Sequence, residues 1–132
     1  MNPITLEWLQ KAEGDFITAG RELRARKFPN YDAVCFHSQQ SVEKFLKAFL
    51  QENKQTIPRT HILADLLTLC AKIDPTFYTI QQDVNVIEGY ATQFRYPGNF
   101  AERIDARQAY KIVRALRGFI LSRFSEPTDL IL

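Results

Sequence analysis

With 132 residues the chain has the length of one domain, and 45% hydrophobic and 12% aromatic content with only 5 Gly excludes a disordered or low-complexity polypeptide. No apolar run approaches the ~20 residues of a membrane span, and MNPITLEWLQKAEGD lacks the basic-then-apolar order of a secretory leader, so a cytoplasmic protein is expected. A net charge of +2 is too small to signal nucleic-acid binding by itself, and 2 His with 2 Cys compose no zinc-type ligand set.

Helical spacing runs through the whole chain. Asn2-Pro3 is a cap and first-turn pair, with Thr5 as a rival cap, and Trp8, Leu9, Ala12, Phe16, Ala19 and Leu23 carry the first stripe. The charged patch Arg21–Lys27 ends this helix, and Phe28-Pro29-Asn30 breaks it, because proline pushes its predecessor out of helical geometry. A second helix is expected from about Tyr31 to Asn53. Within it, Cys35, Ser38, Val42, Phe45, Leu46 and Phe49 form a buried stripe. His37, Gln40, Lys44, Lys47 and Gln51 fall on the other side, which predicts a polar, basic face. Cys35 and Cys70, both in apolar helical patterns, read as buried free thiols.

After a loop at Gln55–Arg59, Thr60 reads as the N-cap of a third helix whose stripe is Ile62, Leu66, Leu69 and Ile73. Asp74-Pro75 is the sharpest start signal in the chain, and Phe77, Ile80, Val84, Ile87, Ala91 and Phe94 follow it in register. Arg95-Tyr96-Pro97-Gly98 forces a stop. Asp105 with Gln108 reads as a capping box for a fifth helix, with Ala109, Ile112, Val113, Leu116, Ile120 and Phe124 as its core positions. The pattern predicts an all-α, up-and-down bundle of four to five antiparallel helices, one domain over 1–125 and a short tail over 126–132.

Three groups of residues carry candidate chemistry. Arg107, Lys111, Arg114 and Arg117, joined by Arg103, form a stripe that is either a solvated face or a phosphate-binding surface. The basic face of the second helix offers His37, Gln40, Lys44 and Lys47; Glu43 is expected to pair with Lys47 across one turn at the surface, with Phe36 at the edge. At the third site, Arg95 and Tyr96 form either a helix stop or a nucleotide contact, phosphate on the cation and base on the ring. His61, in the first turn of the third helix, reads as a structural hydrogen-bonding residue or a proton-transfer group.

Three patches in this order make the chain resemble the HEPN domain family, the higher-eukaryote and prokaryote nucleotide-binding domains, over about residues 5–125. They are Cys35-Phe36-His37-Ser38-Gln39-Gln40-Ser41-Val42-Glu43-Lys44-Phe45-Leu46-Lys47-Ala48, Arg59-Thr60-His61 leading into an apolar helix, and Arg95-Tyr96-Pro97. The resemblance implies a HEPN-like bundle that forms a homodimer and works with a small nucleotidyltransferase partner, in a toxin–antitoxin or stress-response module. Some members are metal-independent ribonucleases with an arginine followed four to six residues later by a histidine. That spacing is absent here: only Thr60 separates Arg59 from His61, and no histidine follows Arg95.

The resulting expectation is a cytoplasmic nucleotide- or RNA-binding accessory protein with no cofactor, no metal and no membrane contact. Lys44, Lys47, Arg95, Tyr96, Gln40 and His37 are its candidate phosphate and nucleotide contacts. The alternatives are a ribonuclease toxin with a non-standard site, built from Arg95, Tyr96 and His61 brought together by folding, and a non-catalytic dimeric adaptor.

Overall fold

The computed structural model describes residues 1–128, so the last four residues of the expected tail, 129–132, lie outside the described residues. The described chain is all-α: α1 (Pro3–Leu23), α2 (Tyr31–Glu52), α3 (Leu63–Ile73), α4 (Gln81–Gln93) and α5 (Arg103–Ser122), with a 3-10 turn at Pro75–Ile80 leading into α4. Polar caps fix the starts of α1, α2 and the 3-10 turn. Asn2 Oδ1 accepts from Ile4 N at 2.8 Å with Pro3 in the first turn, Asn30 Oδ1 accepts from Ala33 N at 3.0 Å, and Asp74 Oδ1 accepts from Thr76 N at 3.0 Å before the turn begins.

Three helix starts differ from the sequence reading. The stretch opened by Asp74-Pro75 is a 3-10 turn as far as Ile80, and α4 itself begins at Gln81. α3 begins at Leu63, and Thr60 sits in the preceding turn, where its Oγ1 accepts from Ile62 N at 3.1 Å. The first amide of α3 is instead satisfied from α4, since Leu63 N donates to Glu88 Oε2 at 3.1 Å. The phase of α3 is also rotated. Leu63, Leu66, Leu67, Cys70 and Ala71 are buried, whereas Ile62 and Ile73 are exposed, because a helix buries the arc richest in close-packing leucines rather than the most regular stripe. At α5 the N-cap is Glu102, whose N–H donates to Asp105 Oδ2 at 2.8 Å; Asp105 is thus the third residue of a capping box and Gln108 has no part in it.

α2 is the axis of the bundle, packed against α1, α3, α4 and α5. The expected stripe is inside, but so are Gln39, Ser41, Glu43, Lys47 and Leu50. The predicted basic face is therefore not a solvent face. It packs on α1, where Ser41 Oγ donates to Ala12 O at 2.9 Å and Asp15 takes both Lys44 Nζ and His37 Nδ1, the latter at 2.9 Å. Around this axis Leu9, Phe45, Leu46, Leu66, Ile87 and Leu116 form one core, closed at one end by Phe49, Phe77 and Phe119, with successive ring centroids 4.6 and 5.3 Å apart. Arg117 joins α5 to α1 through a two-pronged bond to Glu13, at 2.7 and 2.9 Å, and lies over the Phe16 ring.

Candidate functional site

The end of α4 is anchored from within. Phe94 packs against the core and stacks on Tyr90, with centroids 6.2 Å apart, so Arg95 projects from a fixed helix terminus. Glu88, earlier in the same helix, holds the start of α3. Together they place Arg95 opposite the first residues of α3 and the middle of α2. The result is a cleft of about 350 Å³ lined by Gln39, Gln40, His61, Ile62, Glu88 and Arg95.

Behind the cleft lies a buried carboxylate. Glu43 is 3% exposed, and its Oε2 stands 3.1 Å from both His61 Nδ1 and Lys47 Nζ. Its Oε1 is buried with no hydrogen-bond partner among the described residues. Lys47 is itself buried, with its ammonium 5.5 Å from the Trp8 ring centroid. The expected Glu43–Lys47 pair thus exists, but in the interior rather than at the surface. The His61 side chain, tethered to this carboxylate through Nδ1, is otherwise exposed to the cleft. The wall is extended by two amides: Gln40 Nε2 donates to Gln39 Oε1 at 2.8 Å, and the buried Gln39 points its Nε2 at His61 O, 3.5 Å away.

The sequence candidates therefore divide. Gln40, His61 and Arg95 share the cleft. Lys47 is inside, Lys44 and His37 are held by Asp15, and Tyr96 is exposed but does not line the cleft. Of the α5 stripe, Arg117 is engaged by Glu13, while Arg103, Arg107, Lys111 and Arg114 are exposed. Gln39, Glu43 and Glu88 are site residues that a periodic pattern does not single out. Two of them belong to the Cys35–Ala48 patch, and the one available signal is an acidic residue at the edge of an otherwise basic face.

Chemically, the cleft pairs a guanidinium with no carboxylate partner among the described residues with an imidazole tethered to a carboxylate and with amide groups. Guanidinium forks match phosphate oxygens, amides match the donor and acceptor edges of a base, and an imidazole moves protons. Thiol chemistry has no place in it. Burial pushes both Cys35 and Cys70 up to about 12, so neither side chain supplies a thiolate near neutrality. Among the described residues, no three His, Cys, Asp or Glu side chains are placed to hold a metal ion.

The family model for the HEPN domain matches residues 5–123. The bundle is similar to the crystal structure of TT1696 from Thermus thermophilus, at 20% identity and a TM-score of 0.77, covering 91% of this chain and 98% of that one. It is also similar to ST0689, described as an archaeal HEPN homologue, at 24% identity and a TM-score of 0.69, covering 90% and 96% of the two chains. At these identities the likeness of the two structures carries the fold alone. No curated protein matches the chain.

Proposed function

The chain belongs to the HEPN domain family, and we propose that it is a nucleotide- or RNA-binding member whose ligand occupies the cleft between α2, α3 and α4. The observation that carries this reading is the convergence of Arg95, His61 and Gln40 on one cleft from three separate helices or their ends. In it, Arg95 takes the phosphate, and Gln40, steadied by Gln39, takes the base edge. Tyr96, exposed beside Arg95, supplies a ring at the rim. The reading extends to a cytoplasmic homodimer working with a nucleotidyltransferase in a toxin–antitoxin or stress module. Family resemblance supports the partner. The exposed Phe36, Phe100 and Ile104, on segments tied together by the Asp32–Ala101 hydrogen bond, support the dimer.

The test is a thermal-shift panel of nucleoside mono- and triphosphates on the full chain. A ligand at about ten times its Kd adds about 1.4 kcal/mol, or roughly 4–8 °C for a chain of this size. The shift is expected to vanish in Arg95→Ala and to shrink in Gln40→Ala. A shift retained in both variants would remove the cleft from consideration.

A second reading, a ribonuclease with a non-standard site, is favoured by the Glu43–His61 contact. A carboxylate that orients an imidazole, beside a guanidinium able to take phosphate charge, matches the needs of 2′-hydroxyl cleavage. Cleavage of a structured RNA by the wild-type chain, lost in both His61→Ala and Arg95→Ala, is its signature. Intact RNA after long incubation with the wild type excludes it.

A further inference from the structure

A second cleft, of about 570 Å³, lies between the C-terminal end of α1, the start of α2 and the first turns of α5. Arg24, Arg26, Arg103 and Arg107 line it, together with Tyr31. Arg107 also borders a neighbouring depression that holds Lys111, Arg114 and Tyr110, so the two form one continuous basic strip. Neither region touches the Arg95 cleft's residues.

None of these six cations forms a salt bridge among the described residues. The nearby carboxylates are occupied by backbone amides instead. Glu22 Oε1 takes Asn30 N at 2.6 Å, Asp32 Oδ1 takes Ala101 N at 2.6 Å, and Asp105 takes Glu102 N. Gathering like charges without counterions opposes folding, and an anionic ligand relieves it. The strip also has the length for a polyanion. Along α5, Arg103, Arg107, Lys111 and Arg114 share one face over roughly 16 Å at 1.5 Å per residue, a reach beyond the phosphates of one nucleotide.

Phe28 indicates the kind of polyanion. It sits between Arg26 and the cleft-lining Pro29, is 97% exposed, and holds a backbone φ of +48°, in the left-handed region that costs a non-glycine residue about 1–2 kcal/mol. A bare phenyl ring at the rim of an arginine cleft gives a nucleobase a stacking face, and gives a chain of carboxylates nothing. We infer that this cleft is a backbone track for a single-stranded polynucleotide, with Phe28 stacking a base at its mouth. The inference stands whether or not the Arg95 cleft binds nucleotides.

Fluorescence polarisation of a labelled oligouridylate on the full chain, across a salt series, tests it. Each lost phosphate contact makes the negative slope of log K against log salt shallower by about 0.7 for single strands, so Arg26→Ala/Arg107→Ala is expected to reduce its magnitude by about 1.4. Phe28→Ala is expected to weaken oligouridylate roughly 5- to 100-fold, as loss of one base stack does, with the slope unchanged and polyaspartate binding unaffected. An unchanged slope in the double variant would overturn the proposal, and so would polyaspartate binding as tightly as RNA with Phe28→Ala neutral toward both. A lost mononucleotide shift in Arg95→Ala reads on the other cleft, so the two outcomes stay separable.

Discussion

Glu43 is the residue whose removal the structure makes most costly outside the apolar core. In Glu43→Ala the ammonium of Lys47, a residue 5% exposed, loses its one carboxylate partner among the described residues and keeps the Trp8 ring, 5.5 Å away. Breaking a buried ion pair from one side costs about 3–5 kcal/mol, because the surviving charge stays out of water. Against a total stability of roughly 5–15 kcal/mol that is a large fraction, and it lowers Tm by roughly 10–25 °C for a chain of this length. The partner side is informative. His61 is largely exposed, so His61→Ala is expected to change stability by no more than ~0.5 kcal/mol while removing the imidazole from the cleft. Replacing both Glu43 and Lys47 by Met removes both charges at similar volume and is expected to recover most of the loss. Urea unfolding followed by far-UV circular dichroism on the wild type, Glu43→Ala, Lys47→Ala and the Glu43→Ala/Lys47→Ala double variant completes the cycle, with the double Met variant measured beside it. Additive effects of Glu43→Ala and Lys47→Ala, or a cost below ~1 kcal/mol for the first, would refute the reasoning.

Two further outcomes follow from the local geometry. Asp74→Ala is expected to cost about 1 kcal/mol, the usual worth of a cap, since Asp74 holds Thr76 N and the Thr76 hydroxyl. Those bonds keep the Asp74 carboxyl below its ordinary value of 3.8, so its contribution is complete above that pH and disappears as pH falls through the lower folded-state value; an acid titration of Tm in wild type and variant checks this. The buried thiols, pushed up to about 12, are expected to resist a disulfide-exchange reagent at pH 8 in the native chain and to react fully in urea; fast native labelling of either would contradict their placement.

Much of the fold was legible because its signals are local. Asn2-Pro3 and Asp74-Pro75 announce helical starts within a few residues, and their cap bonds are where the sequence puts them, whereas Asn30, read only as part of a break, is the cap of α2. The apolar stripe of α2 is buried as its period requires. What the period could not show is that α2 has neighbours on nearly every side. Its His37, Ser41 and Lys44 are satisfied by Asp15 and Ala12 of α1, groups far away in sequence, and an amphipathicity argument assigns such residues to water by default. The phase of α3 escapes the pattern for a related reason, since Leu63 and Leu67 outweigh a regular isoleucine stripe only once α4 and its Glu88 are in place. Arg95 and His61 were each visible as unusual. Their meeting in one cleft depends on how α3 and α4 pack, which no spacing along the chain records.

The interior position of α2 bears on kinship. The longest patch by which this chain resembles its family, Cys35 to Ala48, is mostly inside: Cys35, Ser38, Gln39, Ser41, Val42, Glu43, Phe45, Leu46, Lys47 and Ala48 are buried, and Phe36 is exposed. Selection on such a segment acts first through the tolerance of a packed interior, where even a one-methylene change is felt. Two relatives that share these letters are thereby shown to share an architecture, and no common ligand follows. What differs among them in recognition is to be sought in side chains that face the clefts and solvent, at Gln40, at Arg95 and along the outward edge of α5.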